Sequence, residues 1–341
     1  MYLPSPTYSF TIPSLHDETP LDCRLYLPHH SSLQLETIRG AIIAHPYAPL
    51  GGCYDDPVVS FVGGELLKTG YIVGTFNFRG AGTSGGRTSW TAKPELADYV
   101  SFYGFMLCYL HSLRSQEVSQ RGDGSIPGGA NVDVPDAQFT LDWPDIHLIL
   151  GGYSYGSLIA SHLPALDVVA DLFKDIIAGT EAHEILQTAV KVSALLEANG
   201  STQEQNLASE DHLAVEEPLD ISGTTISYLL VSPLLPPLNL FLTFFSTMFL
   251  DIGARSPAQR RQIPCPKPTR QLCARPSLAI YGNQDSFTSA SKLKKWSDEL
   301  SHVPGSQFQS AEIDGAGHFW REDGVESQAR DALGKWLRLI P

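Results

Sequence analysis

Short, nearly unbroken apolar runs alternate along this chain with longer stretches whose apolar residues recur at helical spacing. Ile146-His147-Leu148-Ile149-Leu150 is one such run and reads as a buried strand. Ala41-Ile42-Ile43-Ala44 and the runs at 71–78, 226–231, 277–281 and 308–313 are further strands. Segments 9–13 and 22–27 form an opening hairpin across a turn-rich link. Between the strands, helices are expected at 57–68, stopped by Gly70, at 95–113, rich in aromatics, and at 325–339. Strands alternating with helices predict βαβ units and a mostly parallel sheet.

Three stretches break this rhythm. Residues 114–144 are polar and glycine-bearing, with no apolar period, and read as a surface insertion. Residues 166–224 form a second insertion, a lid or a flexible excursion. Helical spacing at Ile185, Leu186, Ala189, Val192, Leu195 and Leu196 favours a helix there, followed by an acidic loop. From 221 to 250 no residue is charged, but Pro233, Pro236 and Pro237 rule against a lipid-spanning helix. A strand, a loop and a short helix at 238–250 are expected instead. Phe241, Phe244, Phe245, Met248 and Phe249 would serve the core or line an acyl pocket. The proline-rich 263–276 is expected to be a surface connector.

The length of 341 residues suits one large α/β domain spanning 1–341, and the 43% apolar content is ordinary for a globular protein. A net charge of −14 argues against nucleic acid or an anionic membrane as partner. The five cysteines, scattered and odd in number, suggest neither a disulfide framework nor a zinc site. Residues 1–20 lack the basic and apolar regions of a secretion signal, so a reducing cytoplasm is the expected compartment.

The candidate chemistry centres on Gly151-Gly152-Tyr153-Ser154-Tyr155-Gly156-Ser157, which follows a strand and precedes a helix. In that context G-x-S-x-G marks a nucleophile elbow. The small flanking residues let strand and helix pass closely while Ser154 Oγ is pushed out above the sheet edge. Serine needs a base, and the base needs an orienting acid. Asp285, after the strand ending at Tyr281, and His318, in Gly315-Ala316-Gly317-His318-Phe319 after the last strand, fall at the carboxyl edge of the sheet. Asp251 is the alternative acid. His45, His147 and His162 fit the base less well, by their places in a loop, a strand and a helix. Backbone N–H groups of Tyr155 and Tyr47, with Ala48 as the near alternative, are the expected oxyanion donors. An ordinary histidine base, titrating near about 6.5, would make activity rise through about pH 6–7. Gly80-Ala81-Gly82-Thr83-Ser84-Gly85 matches G-x-G-x-x-G, but no strand and acid follow as a dinucleotide site requires.

Together these residues resemble the α/β-hydrolase superfamily. The motifs that carry the likeness are His45-Pro46 with Gly51-Gly52, Phe76-Asn77-Phe78-Arg79-Gly80-Ala81-Gly82-Thr83-Ser84, the elbow, and Gly317-His318-Phe319. They are similar to the small, nearly lidless branch described as dienelactone-hydrolase-like or serine-aminopeptidase-like. The resemblance implies an α/β fold with a mostly parallel central sheet of about eight strands, helices on both faces and a small lid. It implies Ser154 as nucleophile, Asp285 as acid, His318 as base and an Asn-Phe-Arg-Gly turn bracing the oxyanion loop. The implied activity is acyl-enzyme hydrolysis of a small-molecule ester, thioester or amide, with no cofactor, no metal and no nucleic-acid partner. An acyltransferase or a non-catalytic binding protein of the same fold are the alternatives. The insertion before Ile226, with Tyr47 and Cys53 in the loop after His45, departs from the compact members and unsettles any inherited substrate pocket.

Overall fold

The computed structural model describes residues 1–28, 37–122, 145–200, 219–235, 249–253 and 260–341. Strands β1 (Tyr8–Pro13), β2 (Pro20–Tyr26), β3 (Thr37–Ala44), β4 (Ile72–Phe76), β5 (Asp145–Tyr153) and β6 (Thr224–Val231) enter one sheet. A separate antiparallel pair, β7 (Phe249–Ile252) and β8 (Arg261–Pro264), follows in the chain. Strands β9 (Ser277–Gly282) and β10 (Phe308–Ile313) complete the main sheet, eight-stranded in the order β1-β2-β4-β3-β5-β6-β9-β10. β2 is antiparallel to both its neighbours, and from β4 to β10 every pairing is parallel.

β5 lies at the centre, and only its first residue is exposed. That is why its sequence shows a continuous apolar run and no alternation. One face of the sheet is covered by α1 (Pro57–Lys68) and α8 (Val325–Leu337), with Val59, Val62, Leu66, Leu333 and Trp336 against Ile43, Val73 and Ile149. α1 starts where it does because Asp56 accepts a hydrogen bond from the Val58 N–H at 2.8 Å and Pro57 needs no N–H partner.

The other face carries α2 (Lys93–Gly122), α3 (Tyr155–Ala160), α4 (Leu166–Asp171) and α5 (Glu181–Gly200). Between Glu95 and Leu110 α2 is enclosed all round, burying Tyr99, Phe102, Tyr103, Phe105, Met106, Tyr109 and Leu110. Of these, the Phe, Met and Leu side chains each contribute on the order of 1.5–3 kcal/mol on leaving water. α6 (Pro268–Ala274) and α7 (Ala290–Ser301) flank β9 and β10.

Several expectations are corrected. α2 does not end at residue 113. It runs on to Gly122, and Arg114 is buried because its guanidinium donates to the Ser222 carbonyl at 2.9 Å and to the Asp220 carbonyl. The rest of the insertion expected at 114–144, residues 123–144, lies outside the described residues. Within 166–224 the helix expected from the apolar spacing is present as α5, with α4 before it, and residues 201–218 lie outside the described residues. The helix expected at 238–250 ends in strand, since Phe249 and Leu250 belong to β7; its earlier residues, four of the five pocket candidates among them, are outside the described set. The proline-rich 263–276 is not a plain connector. It holds the end of β8 and all of α6, because a proline at the first helical position starts a helix. The elbow helix begins at Tyr155 and leaves His162 just beyond its end. Among the described residues no helix is long and apolar enough to cross a membrane.

Candidate active site

Parallel strands point their carboxyl ends one way, so the loops after β3, β5, β6, β9 and β10 share one edge of the sheet. Ser154 stands between β5 and α3 with φ 55° and ψ −112°, a conformation that costs a non-glycine residue on the order of 1–3 kcal/mol. The surroundings hold it there. Its N–H donates to the Val231 carbonyl at 2.8 Å, and its carbonyl accepts from Ser157 Oγ at 2.6 Å. A Cβ on Gly152 would stand 2.3 Å from the Gly156 carbonyl carbon, and one on Gly156 would stand 2.4 Å from the Ala44 carbonyl oxygen. Strand and helix approach so closely that neither position admits a side chain.

Asp285 follows β9 and His318 follows β10, and the two loops are laced together. Gln284 N–H donates to the Ala316 carbonyl at 2.9 Å, and Gly315 N–H to Asn283 Oδ1 at 2.9 Å. Tyr153 donates its hydroxyl to the His318 carbonyl at 2.7 Å and so ties the same loop to β5. His318 Nδ1 then lies 2.7 Å from Asp285 Oδ2, and Nε2 lies 2.9 Å from Ser154 Oγ. All three residues are buried.

The electrostatics fix the proton positions. Burial alone would raise the Asp285 carboxyl. The His318 hydrogen bond and charge outweigh it, with N–H bonds from Thr288 at 3.0 Å and Phe287 at 2.7 Å, and the net direction is down. An ionised carboxylate only accepts, so Nδ1 carries the ring proton and Nε2 is free to accept from the Ser154 hydroxyl. Asp251 is elsewhere: it sits in β7, paired with Arg260 at 3.1 Å, and its carbonyl lies 2.7 Å from His16 Nδ1.

The loop after β3 runs beside the elbow. The Tyr47 ring meets the Tyr155 ring edge to face, with centroids 5.1 Å apart. Tyr155 opens α3, so its N–H has no partner within the helix. Residues 77–79 brace this loop. Asn77 Oδ1 accepts from the Tyr54 N–H at 2.9 Å, and the Phe78 N–H donates to His45 Nε2 at 2.9 Å. Arg79 is buried against Asp98 at 2.6 Å and Asp17 at 3.1 Å, which fixes the turn onto α2. The G-x-G-x-x-G stretch is part of this brace, with Ser84 Oγ donating to the Asn77 carbonyl and accepting from the Asp22 N–H.

Two features carried no sequence signal. Phe287 stacks on the His318 ring with centroids 4.2 Å apart, and Ser232 bonds Trp320 behind the site. Both depend on contacts between residues far apart in the chain.

The strand order, the antiparallel second strand and a strained serine between the central strand and its helix together define an α/β-hydrolase fold. No family model and no curated protein sequence matches the chain. Among solved structures it is similar to an α/β serine hydrolase without a lid from Xanthomonas campestris, at 15% identity and a TM-score of 0.48, covering 100% of this chain and 98% of that one. It is similar to Est1E of Butyrivibrio proteoclasticus with ferulic acid bound, at 14% identity and 0.47, covering 97% and 98%. A third, the Pf2001 esterase of Pyrococcus furiosus, is 14% identical at 0.44, covering 97% and 89%.

Proposed function

We propose that this protein is a serine hydrolase of the carboxylesterase type, cleaving an ester, thioester or amide of a small substrate through an acyl-enzyme. The observation that carries the reading is the unbroken chain Asp285 Oδ2, His318 Nδ1, His318 Nε2, Ser154 Oγ, with links of 2.7 and 2.9 Å. A binding protein needs no such chain. In the first step His318 Nε2 takes the Ser154 proton as Oγ attacks the carbonyl carbon, and Asp285 holds the imidazolium. The N–H groups of Tyr155 and Tyr47 receive the oxyanion, each worth about a hundred- to thousandfold in rate. His318 returns its proton to the leaving group, and water repeats the sequence to free the acid and Ser154. Acetyl to octanoyl p-nitrophenyl esters test this directly. Ser154→Ala and Asp285→Asn are expected to lower kcat by about 10⁴-fold or more. Turnover equal to wild type in Ser154→Ala sinks the proposal.

A further inference from the structure

The imidazole of His318 is not bare on its faces. Phe287 lies nearly parallel to it, at a centroid distance of 4.2 Å and an angle of 27°. The Tyr153 ring is 5.7 Å away at 33°, and Phe319 meets it edge-on at 5.5 Å and 89°. Phe319 also stands against Phe287, at 5.7 Å and 83°. Phe287 is doubly engaged, because its backbone N–H donates to Asp285 Oδ1 at 2.7 Å. One residue thus touches the acid through its main chain and the base through its ring.

Resting on the triad reading, we propose that Phe287 is a positioning residue: its ring fixes the plane of the His318 imidazole and favours the imidazolium formed as Ser154 attacks. An aromatic face carries negative charge density and attracts a cation. During attack, the imidazole passes from neutral to cationic, so the ring helps the transition state more than the ground state. The charged and titratable groups about the imidazole are Asp285 from the β9 loop, Asp56 at the start of α1 and Tyr153 at the end of β5; on its own loop Arg321 lies over the Phe319 ring and Glu322 accepts from the Gly317 N–H. Asp285 already neutralises part of the new charge in the ring plane. Phe287 acts on the face, where no carboxylate is bonded.

Phe287→Leu keeps an apolar side chain and the N–H to Asp285 but removes the π face, and Phe287→Tyr keeps both. The expected result for Phe287→Leu is a kcat lowered about three- to tenfold with KM little changed. The acid limb of its kcat/KM profile moves down by about half a pH unit. Phe287→Tyr restores both. Phe287→Met gives the same comparison should the leucine variant not fold. Wild-type kcat and pH profile in Phe287→Leu, or an equal loss in Phe287→Tyr, overturns the inference while Ser154→Ala remains inactive. Full turnover in Ser154→Ala overturns the triad reading and this inference with it.

Discussion

Trp320 donates its indole N–H to Ser232 Oγ at 3.0 Å, and both residues have positive φ, 56° and 46°. Ser232 follows Val231, whose carbonyl holds the Ser154 N–H, and its own N–H donates to the Ile280 carbonyl at 2.8 Å. Trp320 lies two residues after His318. This buried bond therefore joins the His318 loop to the strand that anchors Ser154, and both backbones are held in a sparsely populated region to make it.

Trp320→Phe keeps the apolar volume and deletes the bond, leaving the Ser232 hydroxyl buried without its donor. The expected cost is about 1–3 kcal/mol, read as a lower Tm. Because the bond holds the His318 loop, kcat is expected to fall with it. A variant with unchanged Tm and kcat would mean the two strained residues are held by other contacts.

Gly156→Ala places a methyl 2.4 Å from the Ala44 carbonyl oxygen, which is backbone of a central strand and has no room to retreat. The expected destabilisation exceeds about 3 kcal/mol, seen as loss of soluble, cooperatively unfolding protein. A well-folded, active Gly156→Ala protein would show that the elbow is looser than its geometry implies.

His45 and His147 set the response of stability to acid. Burial lowers each to about 4; a hydrogen bond to Pro46 opposes this at His45, while the Arg39 charge adds to it at His147. At His45 the tautomer is forced as well. The Phe78 N–H points at Nε2, so Nδ1 donates to the Pro46 carbonyl at 2.6 Å, and a second proton would face an N–H. The unfolded histidines take up protons near about 6.5, so between that value and 4 the unfolded chain binds more protons than the folded one. Stability is complete above about pH 6.5 and falls as the pH drops, by about 2 kcal/mol for each histidine at pH 5. Urea midpoints at pH 7, 6 and 5 check this. A constant midpoint would mean that both rings take up protons in the fold as readily as in the unfolded chain.

The legibility of this chain in its sequence follows burial. β5 and its elbow were readable because a strand covered on both faces must be continuously apolar and because the crossing at Gly152 and Gly156 tolerates only glycine. The placement of Asp285 and His318 at the carboxyl edge of the sheet was readable from short loops after apolar strands. The extent of α2 was not, since Arg114 looks like surface in the sequence and is buried by carbonyls of residues more than a hundred positions away. Phe287, Ser232 and Trp320 were hidden for the same reason. Their roles are pairwise, and nothing local marks either partner. α7 escaped because charged residues surround its few inward positions, Leu293, Ser297 and Leu300.

The central claim is that Ser154 is a nucleophile activated by His318. A fluorophosphonate probe followed by peptide mass spectrometry addresses it most directly. The expected result is one adduct, on Ser154, absent from Ser154→Ala and formed far more slowly in His318→Ala. Well-folded wild-type protein that takes up no probe, or that carries it on another residue, would contradict the claim.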